Sequence, residues 1–130
     1  MVERRFPRQL TSLEPMAQFV ADYVGARGFD PEHSYTVDLL VEEIFTNMLR
    51  HGKGGGPEVS LRLGGEHEEV VLTLRDFDVE PFDLTKAPLP RSEDSVGGLG
   101  LRLVRGISDS IRYEYVGRSA IITLTKRFPL

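Results

Sequence analysis

The stretch LLVEEIFTNMLRHGKGGG, Leu39 to Gly56, decides the reading of the whole chain. Its apolar residues recur at helical spacing, and its glycines stop the helix. Val37, Leu40, Val41, Ile44 and Met48 form the stripe that should face a core. On an ideal helix Glu43 and Asn47 lie within about 40° of each other, whereas Glu42 stands about 140° from Asn47 and reads as solvated charge. Glu43, Asn47 and His51 therefore line one border of the stripe, where a cleft would open. Such a line is also what the rim of any amphipathic helix looks like. A carboxylate and an amide at this spacing nonetheless suit hydrolysis or phosphoryl transfer, the acid orienting a hydroxyl or water and the amide oxygen ligating Mg²⁺. His51 is assigned to capping or a hydrogen bond, because the three histidines, His33, His51 and His67, do not make a histidine-built metal centre.

Working outward, this helix should start at Asp30 as N-cap with Pro31 in the first helical position, run to about Arg50 and stop at Gly52. An earlier helix is expected over about residues 12 to 26, from the capping-box spacing of Thr11 and Glu14 and the apolar residues Leu13, Met16, Val20 and Val24. Val2 to Leu10 reads as an edge strand, since Pro7 cannot donate to a ladder. Past the glycines the period becomes two: EVSLRLGG and EEVVLTLRDF form a hairpin turning around Gly64 to Glu68. LTKAPLPRSEDSV, with two prolines and no period, is a loop long enough to act as a lid. GGLGLRLVRGISDS then reads as a glycine-led helix, and SIRYEYV and SAIITLTKRF as a closing hairpin turning at Gly117. The expected fold is α+β, a two-layer sandwich with helices on one face of a mostly antiparallel sheet, because the strands alternate too well for a buried parallel one.

Composition sets the outer limits. A chain of 130 residues is the size of one domain, here taken as 1–130. A formal charge of −4 with dispersed Lys and Arg argues against nucleic acid as a partner. There are no cysteines, so neither a disulfide framework nor a thiolate zinc site can form. No apolar run approaches the roughly 20 residues of a membrane span, and MVERRFPRQL lacks a signal core, so the expected location is the cytoplasm and no membrane contact is expected.

Two further constellations carry chemistry. In VGGLGLRLVRG, Val96 to Gly106, glycines ahead of a helix let backbone N–H groups approach a phosphate, although a flexible hinge would use Gly97, Gly98 and Gly100 equally well. It is neither a Rossmann fingerprint nor a P-loop. In LTLRDFDVEPFDL a strand ends at Asp76, with Asp78 following, where a carboxylate can accept from an exocyclic amine such as that of adenine; the plain alternative is a solvated acidic turn.

Taken in order (helix with Glu-x-x-x-Asn, strand ending in Asp, irregular loop, Gly-x-Gly-Leu, helix, closing hairpin with Thr), the chain resembles the GHKL, or histidine-kinase-like, ATPase superfamily. Over about residues 11 to 128, EEIFTNMLRHGKGG, GGLGLRLVRGISDSIRYEY and TLTKRF resemble the small anti-sigma-factor serine/threonine kinases of bacteria. The resemblance implies ATP and Mg²⁺ as cofactors, Glu43 as general base towards an incoming serine hydroxyl, and Asn47 as Mg²⁺ ligand. Asp76 would recognise the adenine amine. Gly98 and Gly100 would lie against the phosphates with Leu101 beside them, Thr123 would support the adenine end, and Arg102 or Arg105 could offset phosphate charge. The implied partners are a sigma factor, which it would sequester, and a STAS-domain antagonist, which it would phosphorylate. Homodimerisation is expected on the same footing.

One departure from the family pattern bears on function. Asp-x-Gly is usual at the first glycine box, but here the run is Asp76-Phe77-Asp78. Either the glycine is replaced by Asp78, or the alignment slips and Asp78 is the adenine acid. Nucleotide affinity is then expected to be low or lost, which makes a binding module of the same fold, acting by protein contact alone, the second reading. A third, a detached catalytic half of a histidine kinase, would need a partner to supply the phospho-acceptor.

Overall fold

The computed structural model describes residues 1–51, 53–81 and 104–129. The strands are β1 (Val2–Pro7), β2 (Glu58–Gly64), β3 (Glu69–Asp76), β4 (Ser110–Val116) and β5 (Ser119–Arg127), and the helices are α1 (Leu13–Ala26) and α2 (His33–His51). The strands form one sheet in the order β1-β2-β3-β5-β4, antiparallel at every pairing. This is the expected α+β architecture. β1 lies at the edge as Pro7 requires, ending there rather than at Leu10.

Strand parity sorts the residues into two faces. On β3, Val70, Leu72, Leu74 and Asp76 are buried while Val71, Thr73 and Arg75 are half-buried, and on β5 Ile122 and Leu124 point inward with them. This inner face packs on α1 through Met16, Val20, Tyr23 and Val24, and on α2 through Val37, Leu40, Val41, Ile44 and Met48. The whole expected stripe of α2 is buried, and Phe45, four residues beyond Val41, joins it.

α1 spans the expected residues but without the expected cap, and α2 starts later than expected. A 3-10 turn, Leu10–Ser12, runs straight into α1, so no extended N-cap residue exists and the Thr11–Glu14 box does not form. The Ser12 hydroxyl donates to the Pro7 carbonyl at 2.6 Å instead. Asp30 and Pro31 belong to a turn ahead of α2, where the Asp30 carboxylate accepts from the Glu32 N–H at 3.1 Å and the Asp30 carbonyl from the His33 N–H at 2.9 Å. α2 begins at His33. The lid-like loop and most of the glycine-led helix lie outside the described residues, of which residues 104–107 are helical.

The two hairpins close by different means. Between β4 and β5, Gly117 and Arg118 both take positive φ, 56° and 62°, the pair that a two-residue type I′ turn requires. Between β2 and β3, Gly65 has φ +113°, and a Cβ there would stand 2.3 Å from the Glu69 carbonyl oxygen. Gly65→Ala therefore meets backbone that cannot swing aside, and is expected to destabilise the fold by about 2–3 kcal/mol in urea unfolding with an unchanged m value. A variant as stable as the parent would mean that the turn takes another path.

The segments that follow α2 and β3 are laced together. Gly55 N–H donates to Asp78 O at 2.8 Å, Gly56 N–H to Phe77 O at 2.8 Å, and Glu80 N–H to Lys53 O at 3.0 Å. The Tyr115 hydroxyl fixes the same segment from β4, donating to Val79 O at 2.6 Å.

Candidate functional site

Asn47 is 1% exposed, and its Nδ2 donates to the Glu43 carbonyl at 2.6 Å. A carbonyl can only accept, so that bond fixes which end of the amide is which and turns Oδ1 the other way. Oδ1 is buried and has no hydrogen-bond partner among the described residues. An unpaired buried acceptor costs about 1–3 kcal/mol, and one kept at a chosen position asks for a ligand. An amide oxygen suits Mg²⁺, which prefers one or two protein oxygens completed by phosphate and water. The described residues contain no cluster of three or more acids or histidines that could hold a metal by themselves. Asn47 therefore fits as one ligand of a nucleotide-bound ion.

Glu43, one turn earlier, is half-buried, while Glu42 is exposed as expected. Burial raises the Glu43 pKa above the ordinary carboxylate value, Glu42 beside it raises it further, and Arg50 opposes them. A base poised upward in this way accepts a proton more readily than a solvated glutamate. His51, the last residue of α2, is exposed.

Asp76 ends β3 on the inner face, 2% exposed, which favours it over Asp78 as the acid that meets a base. Asp78 is exposed in the turn beyond, with φ +54°. The left-handed conformation that a glycine would adopt is thus kept, by a residue type that tolerates it, and the side chain reaches solvent. The carboxylate of Asp76 is held by a residue that no motif flagged. Arg8 Nε donates to Oδ1 at 3.0 Å and Nη2 to Oδ2 at 3.3 Å, while Nη2 also reaches the Met48 carbonyl at 3.0 Å.

Thr123 is a correction. It shares the parity of Ile121 on β5, and with Arg5, Thr73 and Arg75 it lines a groove on the outer face of the sheet. On the inner face the residue paired with Asp76 is Ala120, so the Thr123 side chain lies on the opposite face of the sheet from Asp76, not beside it as the resemblance implied. Arg105 is half-buried on the helical turn 104–107. Gly97, Gly98, Gly100, Leu101 and Arg102 lie outside the described residues.

α2 and the end of β3 thus carry a half-buried carboxylate, a buried amide whose oxygen has no partner among the described residues, and a buried acid gripped by arginine. Comparison with known proteins gives this arrangement a family. A search of curated proteins finds no match. Among solved structures the chain is similar to the histidine kinase domain of the Erythrobacter litoralis EL346 blue-light activated histidine kinase, with TM-score 0.56, 20% identity, and coverage of 94% of this chain and 61% of that one. Against a structure of that blue-light activated kinase covering more of its length, the TM-score is 0.54 with 23% identity over 75% of this chain and 31% of the other. The chain spans under two thirds of either, and likeness at this identity is one of fold. The family model for the histidine kinase-like ATPase domain matches residues 6–126, nearly the whole length and every site residue above, and on that match the chain belongs to the histidine kinase-like ATPase family.

Proposed function

We propose that this protein is an ATP-binding anti-sigma regulatory factor with serine/threonine kinase activity, which phosphorylates a STAS-domain antagonist and sequesters a sigma factor. The observation that carries the proposal is the Asn47 amide, buried, oriented by the Glu43 carbonyl and left with one oxygen that no described residue bonds. Mg²⁺, when bound, would neutralise phosphate charge and take that oxygen as a ligand. Glu43 lies one turn away with a raised pKa, suited to receive the proton of an attacking serine hydroxyl. Asp76 meets the adenine amine from the end of β3. Phosphoryl transfer depends mainly on positioning and charge stabilisation, so few groups suffice.

Isothermal titration with ATP and Mg²⁺ tests the nucleotide site, and transfer of labelled phosphate to a co-encoded STAS protein tests the reaction. Asn47→Ala is expected to remove the Mg²⁺-dependent part of the ATP affinity while leaving the fold intact. Absence of binding at millimolar nucleotide would remove the kinase reading. The second reading, a binding module without catalysis, is favoured by one observation, Asp78 standing where the family has glycine. Phosphate transfer to the STAS protein excludes it.

A further inference from the structure

Arg8 is the feature that neither the motifs nor the family account for. Its position is built rather than incidental. The backbone turns at Arg8, whose N–H donates to Pro57 O at 2.9 Å, and the side chain lies across Gly55. A Cβ at Gly55 would stand 2.6 Å from the Arg8 Cζ, so the missing side chain is what makes the slot. The guanidinium side chain is 15% exposed and its carboxylate partner 2%. Planar, paired contacts of this kind are what arginine makes and lysine cannot.

Its third contact gives the pair a direction. The Met48 carbonyl lies in the last turn of α2, where helix geometry leaves carbonyls without intrahelical partners, and Met48 adjoins Asn47. One guanidinium therefore ties the acid at the base end of the site to the helical turn that carries the amide at the phosphate end. An ionised carboxylate offers about four acceptor positions, and the fork takes one on each oxygen. The remaining two are fixed in the plane that Arg8 sets. An unpinned carboxylate would rotate about its bond to Cβ and present no constant direction to an exocyclic amine.

The geometry points to Arg8 as the positioning residue that makes Asp76 selective for adenine, by locking its carboxylate plane and its distance from the Asn47 turn. This inference rests on the nucleotide-site reading above. The bland alternative is that the ion pair only fastens β1 to the rest of the fold, in which case every nucleotide would feel its loss equally.

The test is titration of Mg²⁺–ATP and Mg²⁺–ITP into the parent, Arg8→Lys and Arg8→Gln. ITP carries a carbonyl where ATP carries the amine. The parent is expected to prefer ATP by about tenfold, the size of one hydrogen bond to a charged group. Arg8→Gln should bring that ratio to about one by weakening ATP alone, and Arg8→Lys should fall between, since it keeps the charge and loses the fork. Equal weakening of both nucleotides, an unchanged ratio, or tighter ATP binding in Arg8→Gln would each overturn the assignment, the last by showing that Arg8 covers the acid rather than aiming it. If the parent binds neither nucleotide, the nucleotide site itself is refuted, an outcome distinct from those three. Should the variants fail to fold, the Nε–H resonance of Arg8 in the ¹⁵N-labelled parent decides: it should move on saturation with Mg²⁺–ATP and move less with Mg²⁺–ITP, and no movement with ATP would count against the assignment.

Discussion

Replacing Glu43 with glutamine is expected to cut phosphate transfer to the proposed STAS acceptor by about 10²- to 10⁴-fold, with ATP affinity within about threefold of the parent. Glutamine keeps the size and the place on α2 but cannot take a proton. The parent rate should fall as pH drops through the raised pKa of Glu43, because protonation removes the base, and that limb should vanish from the residual rate of Glu43→Gln. Stability supplies the control. The folded-state pKa lies above the unfolded one, so the folded state binds more protons between the two values, and stability falls as pH rises through that window. Above it, the ionised glutamate disfavours the fold. Glu43→Gln removes this penalty and should be at least as stable as the parent at neutral pH, with the gain disappearing at acid pH where both states are protonated. A rate loss accompanied by a lowered Tm at neutral pH would contradict the role of base.

What could be read in advance followed from periodicity. The α2 stripe and the β2–β3 and β4–β5 hairpins are local patterns, and each is present. The cap of α1 and the start of α2 are less legible, because capping residues specify a turn and leave its exact extent to packing: Ser12 bonds to Pro7, and Asp30 closes a turn of its own. The role of Thr123 rests on the resemblance alone, whereas the alternation of Ile122 and Leu124 puts its side chain on the other face from Asp76. Arg8 was beyond reach. It meets Asp76 from 68 residues away, and no spacing rule connects the end of one edge strand to the end of a central one. Asn47 is identifiable by type, but that its oxygen lacks a partner among the described residues emerges only once the Glu43 carbonyl takes the other end of the amide.

Phe45→Ala is expected to be among the most damaging single changes to the fold, about 3–5 kcal/mol, or a fall in Tm on the order of 10–20 °C. The ring is 0% exposed and belongs to the core cluster, on the buried arc of α2 with Val41 and Ile44. Truncation loses its transfer free energy and leaves a cavity that a close-packed core fills only in part. Against a typical domain stability of about 5–15 kcal/mol this is a large fraction of the total. Tyr35→Ala, on the same helix but 78% exposed, should change stability by less than about 0.5 kcal/mol, so the contrast isolates burial from helix propensity. The site depends on this packing, because Asn47 is buried only while α2 is pressed on the sheet. At a temperature where Phe45→Ala is fully folded, its ATP affinity should lie within about threefold of the parent, whereas near its midpoint the apparent affinity should fall with the folded fraction. A loss under about 1 kcal/mol would mean that the arc carrying Phe45 does not face the core, and the orientation of Glu43 and Asn47, set by the same helix, would fall with it.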